Sequence, residues 1–251
     1  MPDLSRRIPF HFHAEGHAFS GEFRHPIWSL IETQASASLP TIGGHATADS
    51  LNFHFQDFVC FKAAHTHISG KQRKDGTFVT HASTTIKSLN ILDRIKVERI
   101  ICRLTSEHKP DEVEGHITAD DSRFEGLVID GQPVKVTLRH DLLVKCKTYD
   151  DLQGAIASDK KSGKISAIHK NRKVAICSLV EKIETKLPGA DAKHHVIEIK
   201  YFGKIFLAEI FAEPGTRTLT MLRLQLGSPH VADMTAAETR TNGQTGGPTG
   251  P

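Results

Sequence analysis

Two short motifs in this chain have the residue types and spacing for metal chemistry: His11-Phe12-His13 and His65-Thr66-His67. On an extended strand, residues i and i+2 project from the same face, about 7 Å apart over two strand rises. Two imidazoles so placed supply two ligands of a zinc or iron site. A third ligand would come from Glu15, His17, His25, His45, His81 or His116, in a chain that holds 16 histidines. No HExxH motif and no close Cys/His cluster accompanies them. The same residues also read as surface imidazoles or as histidines satisfied by hydrogen bonds, and both readings stay open at this point. The adjacent His194 and His195 would point to opposite faces of a strand.

Other chemistry is sparser. The chain has no GxSxG elbow, no GxxxxGK[ST] loop and no strand-linked GxGxxG. Gly43-Gly44-His45 reads as a turn, and the carboxylate pairs Asp120-Asp121 and Asp150-Asp151 read as turn or helix-cap residues, because neighbouring side chains diverge. Cys60, Cys102, Cys146 and Cys177 are far apart in the chain, and Cys60, Cys102 and Cys177 sit inside apolar runs. Such thiols behave as small buried hydrophobes and persist reduced in a cytoplasm.

Lys and Arg number 32 against 29 Asp and Glu, for a net charge of +3. This lacks the concentrated basic excess of a nucleic-acid binder. No apolar run approaches the roughly 18 residues of a membrane span. His11, His13 and Glu15 interrupt the apolar core that a signal peptide needs. The expectation is a cytoplasmic protein with no membrane span and no nucleic-acid partner, a surface or exported location being left open.

The elements that must position these residues are strands. Residues 51–55 alternate, which places Leu51, Phe53 and Phe55 on one face. Asp75-Gly76 and Asp130-Gly131 are hairpin dipeptides. Further strands are expected at 27–33, 77–80, 84–92, 95–105, 122–129, 134–138, 174–185, 196–202, 204–211 and 217–226, with period-two patterns and β-branched residues throughout. One short helix is expected at 150–158, capped by Asp150 or Asp151, with Tyr149, Leu152 and Ile156 facing inward. Basic residues from Lys160 to Lys173 read as a solvated connection or as an anion or partner contact.

The fold class is therefore all-β, a β-sandwich or barrel-like architecture. Residues 1–235 form a single β-rich domain, or two halves (1–148 and 174–235) joined by a helix and basic loop (149–173). Residues 236–251 hold no large apolar side chain, so the expectation is a disordered tail.

Thr84-Thr-Ile-Lys-Ser-Leu-Asn-Ile and Ser122-Arg-Phe-Glu-Gly-Leu-Val-Ile share an apolar residue, two spacers, leucine, one spacer and isoleucine. Such a recurrence fits either a β-solenoid or a sandwich with evenly spaced strands. The run from Ser83, through Ile95-Lys-Val-Glu-Arg-Ile, to Gly126-Leu-Val-Ile-Asp-Gly-Gln-Pro-Val134 resembles bacterial choice-of-anchor P modules. The resemblance covers residues 83–136. It implies a bacterial β-rich module with a surface or structural role, and it carries over no catalytic residue.

The reading that joins these observations is a non-enzymatic structural or self-assembling subunit, or a binding module. Its partner would be another copy of the chain or another protein. The alternative is a β-barrel metalloprotein, enzyme or storage protein, with zinc or iron on His11, His13, His65 and His67.

Overall fold

The computed structural model describes residues 10–158, 168–169 and 174–245. The chain opens with β1 (Phe10–Phe23), β2 (Ser29–Gln34) and β3 (Ala37–Ser38). A meander follows: β4 (Gly44–Phe55), β5 (Val59–Gln72), β6 (Phe78–Ile91) and β7 (Ile95–His108). Three short strands, β8 (His116–Thr118), β9 (Arg123–Glu125) and β10 (Val128–Ile129), pair in turn along β7, and β11 (Gln132–Leu138) closes a hairpin with β10. After α1 (Asp141–Lys145) and α2 (Tyr149–Ser158) come β12 (Ile168–His169), β13 (Val174–Ser178), β14 (Val180–Thr185), β15 (Ala190–Lys193) and β16 (Val196–Ile199). The chain then finishes with β17 (Gly203–Glu213), β18 (Thr216–Leu226) and β19 (Ala232–Thr245).

These strands form two antiparallel sheets. The first runs β12-β13-β17-β18-β19-β1-β2, with β16 and β3 also paired to β17 and β1; the second runs β14-β11-β10-β7-β6-β5-β4. The fold is thus the expected β-sandwich, with a core that draws on both sheets: Phe19, Phe23, Phe61, Ile86, Ile100, Leu207 and Leu222 belong to one buried cluster. The chain passes between sheets at buried Leu179, between β13 and β14.

The long strands share a feature that simple alternation misses. In β6, Thr80, Ala82, Thr84 and Ile86 face inward, then Leu89 and Ile91 do. The inward parity changes in the middle of the strand, and β1, β4, β5 and β7 change likewise. In the second sheet the changes line up across Asn52, Lys62, Ser88 and Glu98, where Asn52 and Ser88 have φ of 50° and 56°. In the first sheet they line up across Ala18, Ala237, Met221 and Ala208, where Ala208 and Ala237 have φ of 48° and 54°. A left-handed residue rotates the chain so that the next side chain exchanges faces. Because the partner strand turns over at the same row, pairing resumes in the same register beyond it.

This corrects the expectation for residues 51–55. Leu51 is 70% exposed on the outer face, whereas Phe53 and Phe55 pack on the core. Asn52 is the cause.

The tail expectation is also corrected. Residues 236–245 continue β19, a central strand paired to β18 on one side and β1 on the other. Its inward side chains from Ala236 to Thr241 are small, but two hydrogen-bonded ladders hold it, and the sheets approach closely here. A Cβ on Gly16 would meet Thr84 Oγ1 at 3.0 Å and the Glu238 carbonyl at 3.1 Å. Ala236, Ala237, Thr239 and Thr241 fill that narrow space where large side chains would not fit. Only residues 246–251 of the expected tail lie outside the described residues, as do the basic side chains between Lys160 and Lys173.

Helix α2 buries Tyr149, Leu152 and Ile156 as expected. Its cap is Thr148, two residues before Asp150: Asp151 N–H donates to Thr148 Oγ1 (3.1 Å), and Thr148 N–H donates to Asp151 Oδ2 (3.0 Å), a reciprocal capping pair. The apparent sequence repeat has no structural counterpart. Residues 84–91 lie within one continuous strand, whereas 122–129 break between β9 and β10 at Gly126, φ 63°.

Candidate functional site

The histidine motifs fall on the outer faces of opposite sheets. His11 and His13 are exposed on β1 beside buried Phe12 and Ala14, and His65 and His67 point outward from β5 beside buried Thr66 and Ile68. Each pair shares a face, as the spacing requires, but the sandwich lies between the pairs and the four do not converge. His65 Nδ1 is 2.7 Å from Asp49 Oδ1. Of the six candidate third ligands, Glu15 pairs with Arg240 (3.5 Å), His17 with Ser20 and Thr235, His81 with Thr105, and His116 with the Leu143 carbonyl, while His25 lies between β1 and β2 and His45 at the start of β4. Among the described residues, no three His, Cys, Asp or Glu side chains are grouped to hold a metal.

The thiols follow the apolar-run reading. Cys102 and Cys177 are buried, and burial pushes both thiols up to about 12, while Cys60 is only part-buried; all four are free. The expected turn spans residues 40–43, closed by Gly43 N–H on the Pro40 carbonyl, and Gly44 opens β4.

What stands out instead is one side of the sandwich. β2 ends the first sheet and β4 ends the second, and Ser50 Oγ donates to Gln34 Oε1 (2.9 Å) between them. β4 is 12 residues long, and none of them is buried. Among the described residues, no backbone hydrogen bond joins β4 to any strand but β5. An uncovered edge is a template for another strand unless charge, proline or a bulge blunts it. The opposite edge of this sheet, β14, carries Glu181, Lys182 and Glu184 in six residues. Lys182 and Lys135 hold the Glu184 carboxyl below the usual carboxylate range, so that edge stays charged. Of Asp, Glu, Lys and Arg, β4 carries only Asp49.

The apolar surface is distributed to match. Ile27 (74% exposed), Trp28 (66%), Leu30, Ile42 and Leu51 are all exposed, and they are five of the nine exposed large hydrophobic residues among those described. All five lie in the stretch 27–51 that builds these two edges. Leu30 lies on β2 and Leu51 on β4, while Ile27 and Trp28 precede β2 and Ile42 sits in the turn before β4. The strand expected at 27–33 is Ser29–Gln34, with Ile31 buried, and Ile27 and Trp28 precede it as exposed residues.

The fold and this side together define an antiparallel two-sheet β-sandwich whose β2 and β4 edges lie on one side. Residues 10–173 match the family model described as Domain of unknown function (DUF8256), and the chain belongs to that family. The match takes in the whole β2–β4 side and both histidine pairs and stops just short of β13. No curated protein matches the chain, and no solved structure does. Among the described residues, no helix is long and apolar enough to cross a membrane.

Proposed function

We propose that this protein is a non-enzymatic module that works by association, docking its β2–β4 side against a second copy of the chain. The observation that carries this reading is that β2 and β4 end their sheets with one acidic residue each, with Leu30 and Leu51 exposed on them and Ile27, Trp28 and Ile42 exposed in the segments that lead into them. A second copy offers an edge of equal length with equally few charges. A two-fold antiparallel arrangement would use both edges at once and close the assembly. The resemblance of residues 83–136 to bacterial β-rich surface modules supports the same structural role. The four free thiols fit a reducing compartment.

Light scattering on the size-exclusion peak of the full chain tests this. The expected mass is a small multiple of 27.7 kDa, falling toward one chain on dilution. The chain has one tryptophan, Trp28, so its emission should shift to the blue as the assembly forms. Trp28→Asp with Leu51→Lys should yield a folded monomer, with at least about 2 kcal/mol of association lost, as for an interface anchor. A wild-type protein that stays monomeric at its solubility limit would refute the proposal.

A further inference from the structure

A different face of the molecule carries a second site. Along one edge of β17, two short strands share the pairing end to end, β16 with its first part and β13 with its second. Where they diverge, the outer face of the sheet opens into a cavity of about 400 Å³ lined by Ile176, His195, Val196, Phe206 and Glu209 among others. A second cavity of about 330 Å³ shares Ile176 and Glu209 and continues to Phe211, Thr220 and Glu238. The row of left-handed residues positions this groove. It reverses parity at Ala208, Met221 and Ala237, so that Glu209, Thr220 and Glu238 emerge together on the outer face.

The floor is a built ionic cluster. Glu209, with 13% of its side chain exposed, accepts from Arg223 Nε (2.6 Å), Arg223 Nη2 (3.1 Å) and His195 Nε2 (3.1 Å). Burial pushes its carboxyl up, but the hydrogen bonds from His195 and Arg223 outweigh that, and it is held below the usual carboxylate range. The Arg223 guanidinium lies 3.6 Å above the Phe206 ring. Arg223 and Glu209 therefore neutralise one another. At the rim, Asp191 is answered by Lys193, and Glu198 by Lys204.

Among the described residues, no lysine or arginine pairs with Glu238. Its Oε2 accepts from Thr220 Oγ1 (2.6 Å), and its Oε1 is 4.0 Å from His17 Nδ1. His195, 7% exposed, is buried in the floor of the groove, and its Nδ1 has no hydrogen-bond partner. The Glu238 carboxylate thus faces the groove with the Thr220 hydroxyl as its close donor, between walls of Ile176, Val196, Phe206 and Phe211.

We propose that this groove binds an organic ammonium ligand with an apolar body, its N–H groups directed to Glu238 and its alkyl or aryl portion laid along Ile176 and Phe211. The volumes fall in the range of small-ligand sites, which is roughly 300–1,000 Å³. The site is independent of the β2–β4 edge, so either proposal stands if the other fails.

The test is a pair of titrations of the full chain, followed by backbone amide NMR, with n-hexylamine and with hexanoate, which has the same chain length and the opposite charge. Saturable shifts at Ile176, Thr220 and Glu238 with the amine, and none with hexanoate, are expected. E238Q keeps the Thr220 bond and should weaken the amine by about tenfold or more, the effect of losing a charge-assisted hydrogen bond. E181Q, on the exposed far edge, should bind as wild type. Equal response to hexanoate, no saturable response to either, or full amine affinity in a folded E238Q would overturn the proposal. The comparison of the two probes needs no variant, so it decides the matter even if E238Q fails to fold.

Discussion

His81 projects from the outer face of β6 and its Nδ1 is 3.0 Å from Thr105 Oγ1. Burial, with Arg73 and Lys71 nearby, holds its imidazole below the ordinary value, against a smaller opposing pull from Glu107. A base depressed in the folded state binds its proton more readily when unfolded. Its contribution to stability is therefore complete above the unfolded value of about 6.5 and is lost as the pH falls through the folded value. Stability measured by urea unfolding should drop as the pH is lowered below about 6.5, and His81→Gln should flatten that slope. Residue-level legibility was uneven in an instructive way. The same-face geometry of the HxH pairs and the burial of Cys102 and Cys177 follow from immediate neighbours and were readable. The exposure of Trp28 and the partnership of His195 with Glu209 depend on strands that pair through the tertiary fold, and no local pattern marks them.

At the scale of elements, Arg217 and Glu114 do much to fix the helical side of the molecule. Arg217, 1% exposed, pairs with Glu114 at 3.2 Å and donates to the carbonyls of Glu213 and Thr216. The Glu114 carboxylate also accepts from the Tyr149 N–H at the start of α2 and from the Gly215 N–H in the β17–β18 turn. One side chain thus ties a loop, a helix start and a hairpin. Glu114→Ala leaves the guanidinium buried without its counter-ion and should cost about 3–5 kcal/mol, read from the midpoint of chemical denaturation. The strands themselves were legible as strands, but their faces only in part. Where the chain turns over, like residues fall side by side, as in Ala18-Phe19, Lys87-Ser88, Met221-Leu222 and Ala236-Ala237. That doubling in a period-two pattern is the signal from which the reversal could have been read.

For the molecule as a whole, closure of the first sheet rests on β19, which joins the N-terminal β1 to the C-terminal β18. A chain ending at Thr235 keeps four residues of β19 and would leave most of β1 unpaired on that side. It should fail to fold cooperatively, seen as loss of the sigmoidal thermal transition in circular dichroism. A truncation after Thr245 should unfold like the full chain. The same view explains why association is assigned to the β2–β4 side: β14 is charged along its length, whereas β2 and β4 present apolar side chains and one acidic residue each.

What the sequence determined by itself was local: an all-β chain, the Asp75-Gly76 and Asp130-Gly131 hairpins, the helix at α2 and the apolar setting of Cys102 and Cys177. These depend on turn chemistry and on alternation over a few residues, which operate before any distant contact forms. The tertiary structure alone decided the order of residues 236–245, the reversal that exposes Leu51, the separation of the two histidine pairs and the groove at Glu209. Each depends on partners far apart in the chain, as when His17 comes to lie opposite Glu238. The free energy that settles such a site comes from ladders and close packing that exist only once both strands are in place.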